Sequence, residues 1–231
     1  MPSEDVGFRR LQDDGYLMNA TIVVPAYNEE KNIEKVLRKI SSVGRYEIIV
    51  VDDGSTDSTA EIAENYARVI KLKKNTGKGH ACRTGARAAK YQDIVFIDSD
   101  GQLDPKYIPK FLEELKNCGI VVGSRRTNEM PIQRRLSNSF ARWIAKKITR
   151  YDLGDYLCGL RAIKKRDFLR LKLEKNRYEF ESEMIIKAAR NGLSAKSVPV
   201  GVTYESYRGM PIIHSVKVAF YLLSESVKNG K

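Results

Sequence analysis

Two carboxylates separated by one residue follow an apolar segment near the middle of the chain. Asp93–Asp98 reads DIVFID, and the triplet Asp98–Ser99–Asp100 is followed by Gly101 and Gln102. Ionised carboxylates at the mouth of a buried strand are costly unless they are paired or bind a cation. Hard divalent cations such as Mg²⁺ and Mn²⁺ prefer oxygen ligands, and phosphate oxygens can complete their coordination. The triplet favours a metal that bridges to a diphosphate, although an acidic structural turn has the same pattern.

Two other segments carry groups that suit a nucleotide. Asp52 and Asp53 follow the apolar run at residues 46–51, where a carboxylate either accepts hydrogen bonds from a base or ribose or forms a turn before a helix. Residues 75–79 read NTGKG, in which glycines allow the backbone to approach a phosphate and Lys78 adds positive charge. The segment lacks the full GxxxxGK[ST] pattern, which disfavours a P-loop nucleotidase.

The elements that must position these residues alternate between short apolar runs and segments of helical periodicity. Such alternation predicts an α/β fold with a mostly parallel sheet flanked by helices, in which ligands bind at the carboxyl ends of the strands. In the first hundred residues, strands are predicted at Ala20–Pro25, Tyr46–Val51, Arg68–Leu72 and Asp93–Asp98, and helices at Glu29–Val43, Asp57–Tyr66 and His80–Lys90.

The second half of the chain is less regular. The helix predicted at Pro131–Thr149 is expected to bury one apolar stripe that includes Trp143 and Ile144. The tail, Ile212–Val227, is predicted to be an amphipathic helix that packs on the sheet or rests on a membrane. Further strands are predicted at Gly119–Gly123, Gly159–Ile163 and Ser197–Thr203, and further helices at Pro105–Asn117 and Glu179–Arg190.

Length and composition indicate one globular domain. The chain has 231 residues, of which 42% are hydrophobic and 30% are charged. Its three cysteines lack CxxC spacing and its histidines number two, which disfavours a disulfide framework and a zinc site and favours a reducing compartment. No run approaches the ~20 apolar residues of a membrane span, and the N-terminus does not resemble a secretory signal. The protein is therefore expected to be cytoplasmic, with residues 1–17 as a polar lead-in to a domain at 18–231.

Positive charge is concentrated in one part of the chain. The formal net charge is +12, and residues 125–175 contain 15 Lys or Arg and 5 Asp or Glu, a local charge of +10. This stretch is either a solvated face or a surface for an anionic partner such as a phosphorylated substrate or an anionic membrane surface. Nucleic acid is disfavoured, because none of the usual recognition motifs is present.

Taken together, the motifs resemble one family closely. VVPAYNEE, VVDDGSTD, NTGKGHA, DSDGQ and VGSR occur in the order and at the spacing typical of family 2 glycosyltransferases of the GT-A fold, and the resemblance covers roughly residues 20–208. Residues 155–161 (DYLCGLR) and 178–183 (YEFESE) resemble segments of dolichyl-phosphate mannose synthase and related polyprenyl-phosphate sugar synthases. Cys158 and Leu160 depart from the usual hydroxyl residue and Phe of the first segment.

This resemblance implies a role for each motif residue. It implies a nucleotide-sugar half at about 18–124, an acceptor half at about 125–231, and a GDP- or UDP-sugar donor. Lys78 would lie near the nucleotide, the carboxylates Asp98 and Asp100 and the amide of Gln102 would serve the nucleotide and Mg²⁺ or Mn²⁺, and arginines would face an acceptor phosphate. The implied nucleotide-binding residues are Pro25, Ala26, Tyr27, Glu29, Asp53, Lys78 and Asp98; the metal ligands are Asp98, Asp100 and Gln102; and the catalytic residues are Asp100, Arg125, Arg135 (or Arg134) and Arg208.

Two enzymatic hypotheses remain, and they differ in the acceptor of the sugar. An inverting transfer to a polyprenyl phosphate needs no general base, because the phosphate is already an anion. A hydroxyl acceptor must lose a proton, and Asp155, Glu181 and Glu183 are the candidate bases. A non-catalytic nucleotide-binding protein is the alternative of another class.

Overall fold

A computed structural model describes residues 17–125, 142–177, 179–202, 221 and 223–225. Its centre is a seven-stranded sheet in the order β3-β2-β1-β4-β6-β5-β7. The strands are β1 (Leu17–Ala26), β2 (Arg45–Asp52), β3 (Arg68–Lys71), β4 (Asp93–Phe96), β5 (Ile120–Arg125), β6 (Arg161–Lys164) and β7 (Ala195–Val200). The helices are α1 (Ile33–Val43), α2 (Thr59–Glu64), α3 (Lys78–Ala88), α4 (Ile108–Leu115), α5 (142–149), α6 (Lys165–Arg170) and α7 (Phe180–Arg190).

The first half of the sheet follows the predicted alternation. β1 lies between β2 and β4 and pairs with both in parallel, and β3 pairs with β2 in parallel. The apolar runs of β1, β2 and β4 are buried, as expected for a parallel sheet covered by helices, whereas Val69 and Ile70 of the edge strand β3 are partly buried. Ala26 and Asp52 are register partners, so the polar residues that follow β1 and β2 emerge side by side at one edge of the sheet.

The second half adds an antiparallel strand that the sequence pattern does not predict in this position. β6 lies between β4 and β5 and runs antiparallel to both, whereas β7 is parallel to β5. The loop that precedes β6, residues 151–160, therefore arrives at the same edge at which β4 and β5 end. This reversal brings the 155–161 motif next to the acidic triplet.

Helices pack against the sheet with the predicted apolar stripes. The inner face of α1 is formed by Ile33, Val36, Leu37 and Ile40, all buried, at the helical spacing read from the sequence. α3 packs on β1 and β2, and α4 packs against β4, β5 and β6. Gly85 allows the close approach of α3, because a Cβ there would overlap the side chain of Val23.

The expectation that Trp143 is buried is wrong. In α5, Ile144 is 2% exposed and Ile148 is half-buried, but Trp143 is 56% exposed. Its ring lies on the outward side with Lys147, whose ammonium is 3.9 Å from the ring centroid, as positions i and i+4 share a helix face. Leu136 and Phe140 lie outside the described residues.

Only the end of the predicted tail helix falls within the described residues. Positions 221 and 223–225 are helical; Tyr221 packs against the core, whereas Leu223 is 44% exposed. The buried Glu225 forms an ion pair with Arg190 of α7 at 2.5 Å. No helix in the described part of the chain is long and apolar enough to cross a membrane.

Candidate active site

A cleft of about 350 Å³ opens at the carboxyl ends of β1, β2 and β4. Its position is the one expected for a ligand site in an open parallel sheet. Residues from the predicted nucleotide and metal sets meet there with Arg125, although they come from distant parts of the chain. The lining consists of Pro25, Ala26, Tyr27, Glu29, Asp53, Asn75, Gly77, Lys78, Ala81, Asp98, Ser99, Asp100, Gln102, Arg125, Leu157, Arg177 and Glu181.

Asp53 organises one end of the cleft. One carboxylate oxygen accepts hydrogen bonds from the backbone N–H and the hydroxyl of Thr76, at 2.9 and 2.8 Å, and the other accepts the N–H of Gly77 at 2.7 Å. Gly77 has φ 104°, a left-handed conformation that favours glycine. The two motifs read separately from the sequence therefore form one structure, in which Asp53 fixes the 75–77 loop at the cleft wall.

Lys78 lies between two carboxylates. Its ammonium is 2.5 Å from Asp98 Oδ1 and 2.7 Å from Glu181 Oε1. Burial acts to lower the pKa of Lys78, but the charges of Asp98 and Glu181 outweigh it and raise the pKa well above the ordinary value. Lys78 is thus a permanent cation, and it joins α3, the acidic triplet and the start of α7.

The acidic triplet offers oxygen ligands to a hard cation. Burial, together with the negative charge of Asp98, raises the pKa of Asp100 to about 6. Asp100 also accepts the backbone N–H of Gln102 at 3.0 Å, which fixes the turn. A divalent cation would relieve the electrostatic cost of this carboxylate, so the residues present fit Mg²⁺ or Mn²⁺.

The described residues do not by themselves supply a complete coordination shell. Within the described ranges, no three His, Cys, Asp or Glu side chains are grouped so that they could hold a metal ion. Oxygen atoms of a substrate or of water are suitable further ligands around Asp98, Asp100 and Gln102.

The other end of the cleft holds a paired arginine. Arg125, at the end of β5, places its Nε 2.5 Å from Oδ2 of Asp155, which is 1% exposed. The second oxygen of Asp155 accepts the N–H of Leu157 at 2.8 Å. Asp155 therefore orients Arg125 and shapes the 155–161 loop, and it is not among the lining residues.

Arg161, which sequence reasoning left without a role, is the anchor of that loop. It is 1% exposed, and its guanidinium donates to the carbonyl oxygens of Tyr156, Cys158 and Glu181 at 2.5, 2.8 and 2.6 Å. A buried arginine that binds three carbonyls fixes two chain segments relative to each other. Arg161 could have been identified from its position at the end of the DYLCGLR motif.

The three candidate bases do not share one environment. Glu181 lines the cleft but is paired with Lys78, and Asp155 is buried against Arg125. Glu183 is not brought to the cleft: it is 1% exposed, and its carboxylate accepts the backbone N–H groups of Glu174 and Lys175. The protein backbone engages both carboxylate oxygens, which favours a structural role for Glu183 over the predicted role as a base.

Two predicted arginines cannot be placed. Arg135, with its alternative Arg134, and Arg208 lie outside the described residues. The lining residues without a predicted role include Arg177 and Ser99. No pattern in the sequence identifies Arg177. Ser99 could have been identified from its place inside the acidic triplet, and its hydroxyl donates to the carbonyl of Pro25 at 2.9 Å.

Comparison with protein families gives a match to the model described as glycosyl transferase family 2, over residues 21–171. The matched region contains the acidic triplet, the 75–79 loop and Arg125. It ends before Arg177 and α7, so the family match does not extend to every part of the cleft.

Curated relatives extend the similarity along the chain. A UDP-N-acetylglucosamine–dolichyl-phosphate N-acetylglucosaminyltransferase of Methanococcus voltae is 33% identical, with 91% of this chain and 96% of that protein covered. A dodecaprenyl-phosphate galacturonate synthase of Rhizobium johnstonii is 29% identical over 74% of this chain and 55% of that protein.

Solved structures agree with this assignment. Glucosyl-3-phosphoglycerate synthase of Mycobacterium tuberculosis, in complex with Mn²⁺, UDP and glucosyl-3-phosphoglycerate, is similar with a TM-score of 0.74 and 27% identity, covering 98% of this chain and 85% of that one. The expected fold class is confirmed: a single α/β domain of the GT-A type with a mostly parallel sheet. The chain therefore belongs to glycosyl transferase family 2, and it is a glycosyltransferase rather than a non-catalytic nucleotide-binding protein.

Proposed function

We propose that this enzyme transfers a sugar, with inversion, from a nucleotide-diphospho-sugar to a polyprenyl phosphate of the dolichyl type. The observation that carries the proposal is the pairing of the candidate bases. Asp155 and Glu181 are each engaged by a cation, and Glu183 is held by backbone N–H groups. An acceptor that is already an anion needs no base, and Arg125 at the cleft wall suits a phosphate.

The relatives support this acceptor. The names of the similar proteins from M. voltae and R. johnstonii specify dolichyl phosphate and dodecaprenyl phosphate, respectively. The first of these names also specifies a UDP-sugar donor. The two names share a polyprenyl phosphate, and we propose the same class of acceptor for the present chain. GDP- and UDP-sugars are the donors that remain to be compared.

The transfer then requires positioning more than proton movement. A phosphate oxygen of the acceptor forms a bond to the anomeric carbon while the bond from that carbon to the donor diphosphate breaks. Arg125, oriented by Asp155, would hold the acceptor phosphate close to that carbon, which is the contribution of proximity. Lys78 would keep Asp98 and Glu181 in place at the donor side.

Asp98, Asp100 and Gln102 would hold Mg²⁺ or Mn²⁺. When bound, such a cation neutralises the charge that develops on the departing diphosphate. The solved structures of the M. tuberculosis enzyme that contain both Mn²⁺ and UDP support the use of a divalent cation in this fold.

The setting that we propose is the cytoplasmic face of a membrane. A polyprenyl phosphate resides in a lipid layer, and the +10 charge of residues 125–175 would attract an anionic membrane surface. The exposed Trp143 and Lys147 of α5 lie within this stretch. Peripheral attachment would thus bring the acceptor to the cleft, and nucleic acid has no role in the proposal.

A hydroxyl acceptor is the second candidate, because a specific observation favours it. The M. tuberculosis enzyme of similar structure was solved with phosphoglyceric acid, and its name describes a glucosylated phosphoglycerate as product. For the present chain, this reaction would require that Glu181 leave Lys78 in order to act as a base.

The decisive experiment compares acceptors with one panel of donors. Radiolabelled UDP-N-acetylglucosamine, UDP-glucose and GDP-mannose would each be incubated with Mn²⁺ and a short polyprenyl phosphate, the matching polyprenol, or 3-phosphoglycerate. We expect label in the organic phase with the polyprenyl phosphate alone. Transfer to phosphoglycerate without lipid product, or to polyprenol as fast as to its phosphate, would overturn the proposal.

The metal assignment has its own test. Asp100→Asn should lower turnover at least ~100-fold while the thermal unfolding transition is retained, and EDTA should abolish wild-type activity until Mn²⁺ or Mg²⁺ is restored. Full activity of Asp100→Asn, or activity unaffected by EDTA, would remove the metal from the mechanism.

A further inference from the structure

Three cationic side chains line the cleft within the described part of the chain, and two of them are neutralised by protein carboxylates. Lys78 is paired with Asp98 and Glu181, and Arg125 is paired with Asp155. The third, Arg177, is exposed and forms no ion pair with any residue that the structure describes. Its positive charge is therefore available to a ligand of the cleft.

Arg177 lies at the Asp53 end of the cleft. Its Cγ is 3.0 Å from the position that a Cβ on Gly77 would occupy, so the aliphatic part of the arginine lies directly against the 75–77 loop. The backbone of that loop binds Asp53, and Tyr27, which is 44% exposed, lines the same cleft. The family resemblance implies that Asp53 and Tyr27 bind the nucleotide, so we assign this end to the nucleoside of the donor, and the inference rests on the proposed function.

The chain segment that carries Arg177 is firmly held. We call residues 174–177 the strap. Its N–H groups at Glu174 and Lys175 bind the buried carboxylate of Glu183 at 3.0 and 2.8 Å.

The strap is also tied to α3. The carbonyl of Lys175 accepts from the Arg83 guanidinium at 2.7 Å, and the carbonyl of Asn176 accepts the N–H of Gly79 at 2.8 Å. The Arg83 guanidinium also donates to the side-chain oxygen of Asn176. With the backbone fixed on both sides, Arg177 starts from a defined position at the cleft wall, which reduces the entropy lost when its side chain becomes ordered on a ligand.

We propose that Arg177 is a nucleotide-binding residue that places its guanidinium on the nucleobase of the sugar donor. A guanidinium is planar and carries five N–H donors, so it can stack on a ring and donate to a carbonyl oxygen. Uracil and guanine both present a ring face and a carbonyl oxygen. We assign the contact to the base rather than to the diphosphate because Arg177 lies against the part of the loop that is bonded to Asp53, the residue assigned to the base or ribose.

The test measures nucleotide binding by calorimetry, so it does not depend on identifying the acceptor. UDP and UMP, and in parallel GDP and GMP, would be titrated in the presence of Mn²⁺ into wild-type protein, Arg177→Ala, Arg177→Lys and Arg166→Ala. Arg166 is the matched control, because it is exposed, carries the same charge and is not among the lining residues.

For the nucleotide that binds more tightly, we expect Arg177→Ala to weaken the diphosphate and the monophosphate by the same factor, about 10-fold. Arg177→Lys should remain weakened at least ~3-fold, since an ammonium keeps the charge but lacks the planar donor group. Arg166→Ala should bind as the wild type does, and thermal unfolding should show all variants folded.

Three results would overturn the inference and leave the proposed function standing. They are an unchanged nucleotide affinity in Arg177→Ala, a loss of affinity confined to the diphosphate, and wild-type affinity in Arg177→Lys. Wild-type protein that binds none of the four nucleotides would overturn the proposed function together with the inference. The two failures are therefore distinguishable.

Discussion

The carboxylate of Asp98 lies directly against the backbone of Gly159, in the space that a side chain at Gly159 would occupy. A Cβ built on Gly159 would overlap Oδ2 of Asp98, and Oδ1 of the same carboxylate is paired with Lys78. Asp98 therefore depends for its position on a residue about sixty positions later, in the loop before β6. The acidic triplet and the 155–161 motif form one structural unit.

This contact predicts that one methyl group added at Gly159 lowers the transfer activity. Gly159→Ala should push the Asp98 carboxylate away from Lys78 and lower transfer activity about 100-fold, because a displacement of about 1 Å is enough to misalign a reacting group. Activity with saturating donor and the midpoint of thermal unfolding would both be measured.

Gly192→Ala is the control for a glycine-to-alanine change. Gly192 has φ 71°, so alanine there is strained, but a Cβ would meet nothing within 4 Å. This variant should lose stability, by about 1 kcal/mol, and keep its activity. If Gly159→Ala were as active as Gly192→Ala, Asp98 would not depend on this contact.

Lys78 is expected to contribute to stability as well as to substrate binding. Lys78→Met leaves Asp98 and Glu181 without their shared cation, and removal of one partner from a largely buried ion pair costs on the order of 3 kcal/mol. Because about 30% of the lysine side chain is exposed, the measured loss should fall at or below this value. Urea denaturation would give the free energy of unfolding.

A control variant and a double variant complete this measurement. Lys71→Met removes a lysine paired with Glu64 where both side chains are about half exposed, so its effect on the free energy of unfolding should be much smaller than that of Lys78→Met. Adding Glu181→Gln to Lys78→Met should restore part of the lost stability, because it removes one unpaired charge. Equal losses for Lys78→Met and Lys71→Met would show that the pairing of Lys78 with Asp98 and Glu181 does not stabilise the fold.

The sequence was sufficient for the parts of the fold that depend on local pattern. The helix predicted at Glu29–Val43 corresponds to α1, and its apolar residues at helical spacing, Ile33, Val36, Leu37 and Ile40, form the buried face, because amphipathic periodicity directly specifies which side of a helix is apolar. Most residues of the predicted donor site also meet in the cleft, since the ends of parallel strands share one edge of the sheet.

The parts that could not be predicted depend on pairings between distant segments. The position of β6 between β4 and β5 depends on the strand order of the sheet, and the local pattern of hydrophobic residues does not determine strand order. Glu183 occurs in a motif rich in carboxylates, but its partners, the N–H groups of Glu174 and Lys175, carry no side-chain signal. Trp143 is adjacent to the buried Ile144, so a small rotation of the helix decides whether it faces inward.

Glu183 offers a direct distinction between a structural anchor and a base. If it anchors the strap, Glu183→Gln should lower the free energy of unfolding by about 1–3 kcal/mol, because a buried acceptor is partly lost and Lys187, 2.9 Å away, loses its nearest carboxylate. The nucleotide should bind more weakly, while kcat changes little. Chemical denaturation and steady-state kinetics would supply both values.

A general base would behave in the opposite way. Its loss should lower kcat at least ~100-fold with stability unchanged. Glu113→Gln is the control, because Glu113 is exposed and is paired with Lys110 on the surface of α4. A stable Glu183→Gln variant with a selective loss of kcat would return Glu183 to the reaction and would favour a hydroxyl acceptor.

The pairing of Asp155 with Arg125 makes the last prediction specific to the acceptor. In Asp155→Asn the amide can still accept the N–H of Leu157, but an NH₂ group would then face Nε of Arg125, so two donors oppose each other and the arginine must turn away. We expect the KM for polyprenyl phosphate to rise about 10-fold, because a guanidinium that is no longer oriented loses its geometric fit to phosphate. The Kd of the donor nucleotide, measured by calorimetry, should stay within about twofold of the wild-type value, since Arg125 and the Asp53 end of the cleft bind different parts of the substrates.

Asp152→Asn is the matched control for this change, because Asp152 is three residues away and pairs with Arg142 and Lys146 where it is 57% exposed. It removes the same charge from the same loop and should leave both constants unchanged. A rise in acceptor KM of equal size in both variants would assign the effect to the charge of the basic region as a whole. A loss of nucleotide affinity confined to Asp155→Asn would instead place Arg125 on the donor, and the division of the cleft into a donor end and an acceptor end would then have to be reversed.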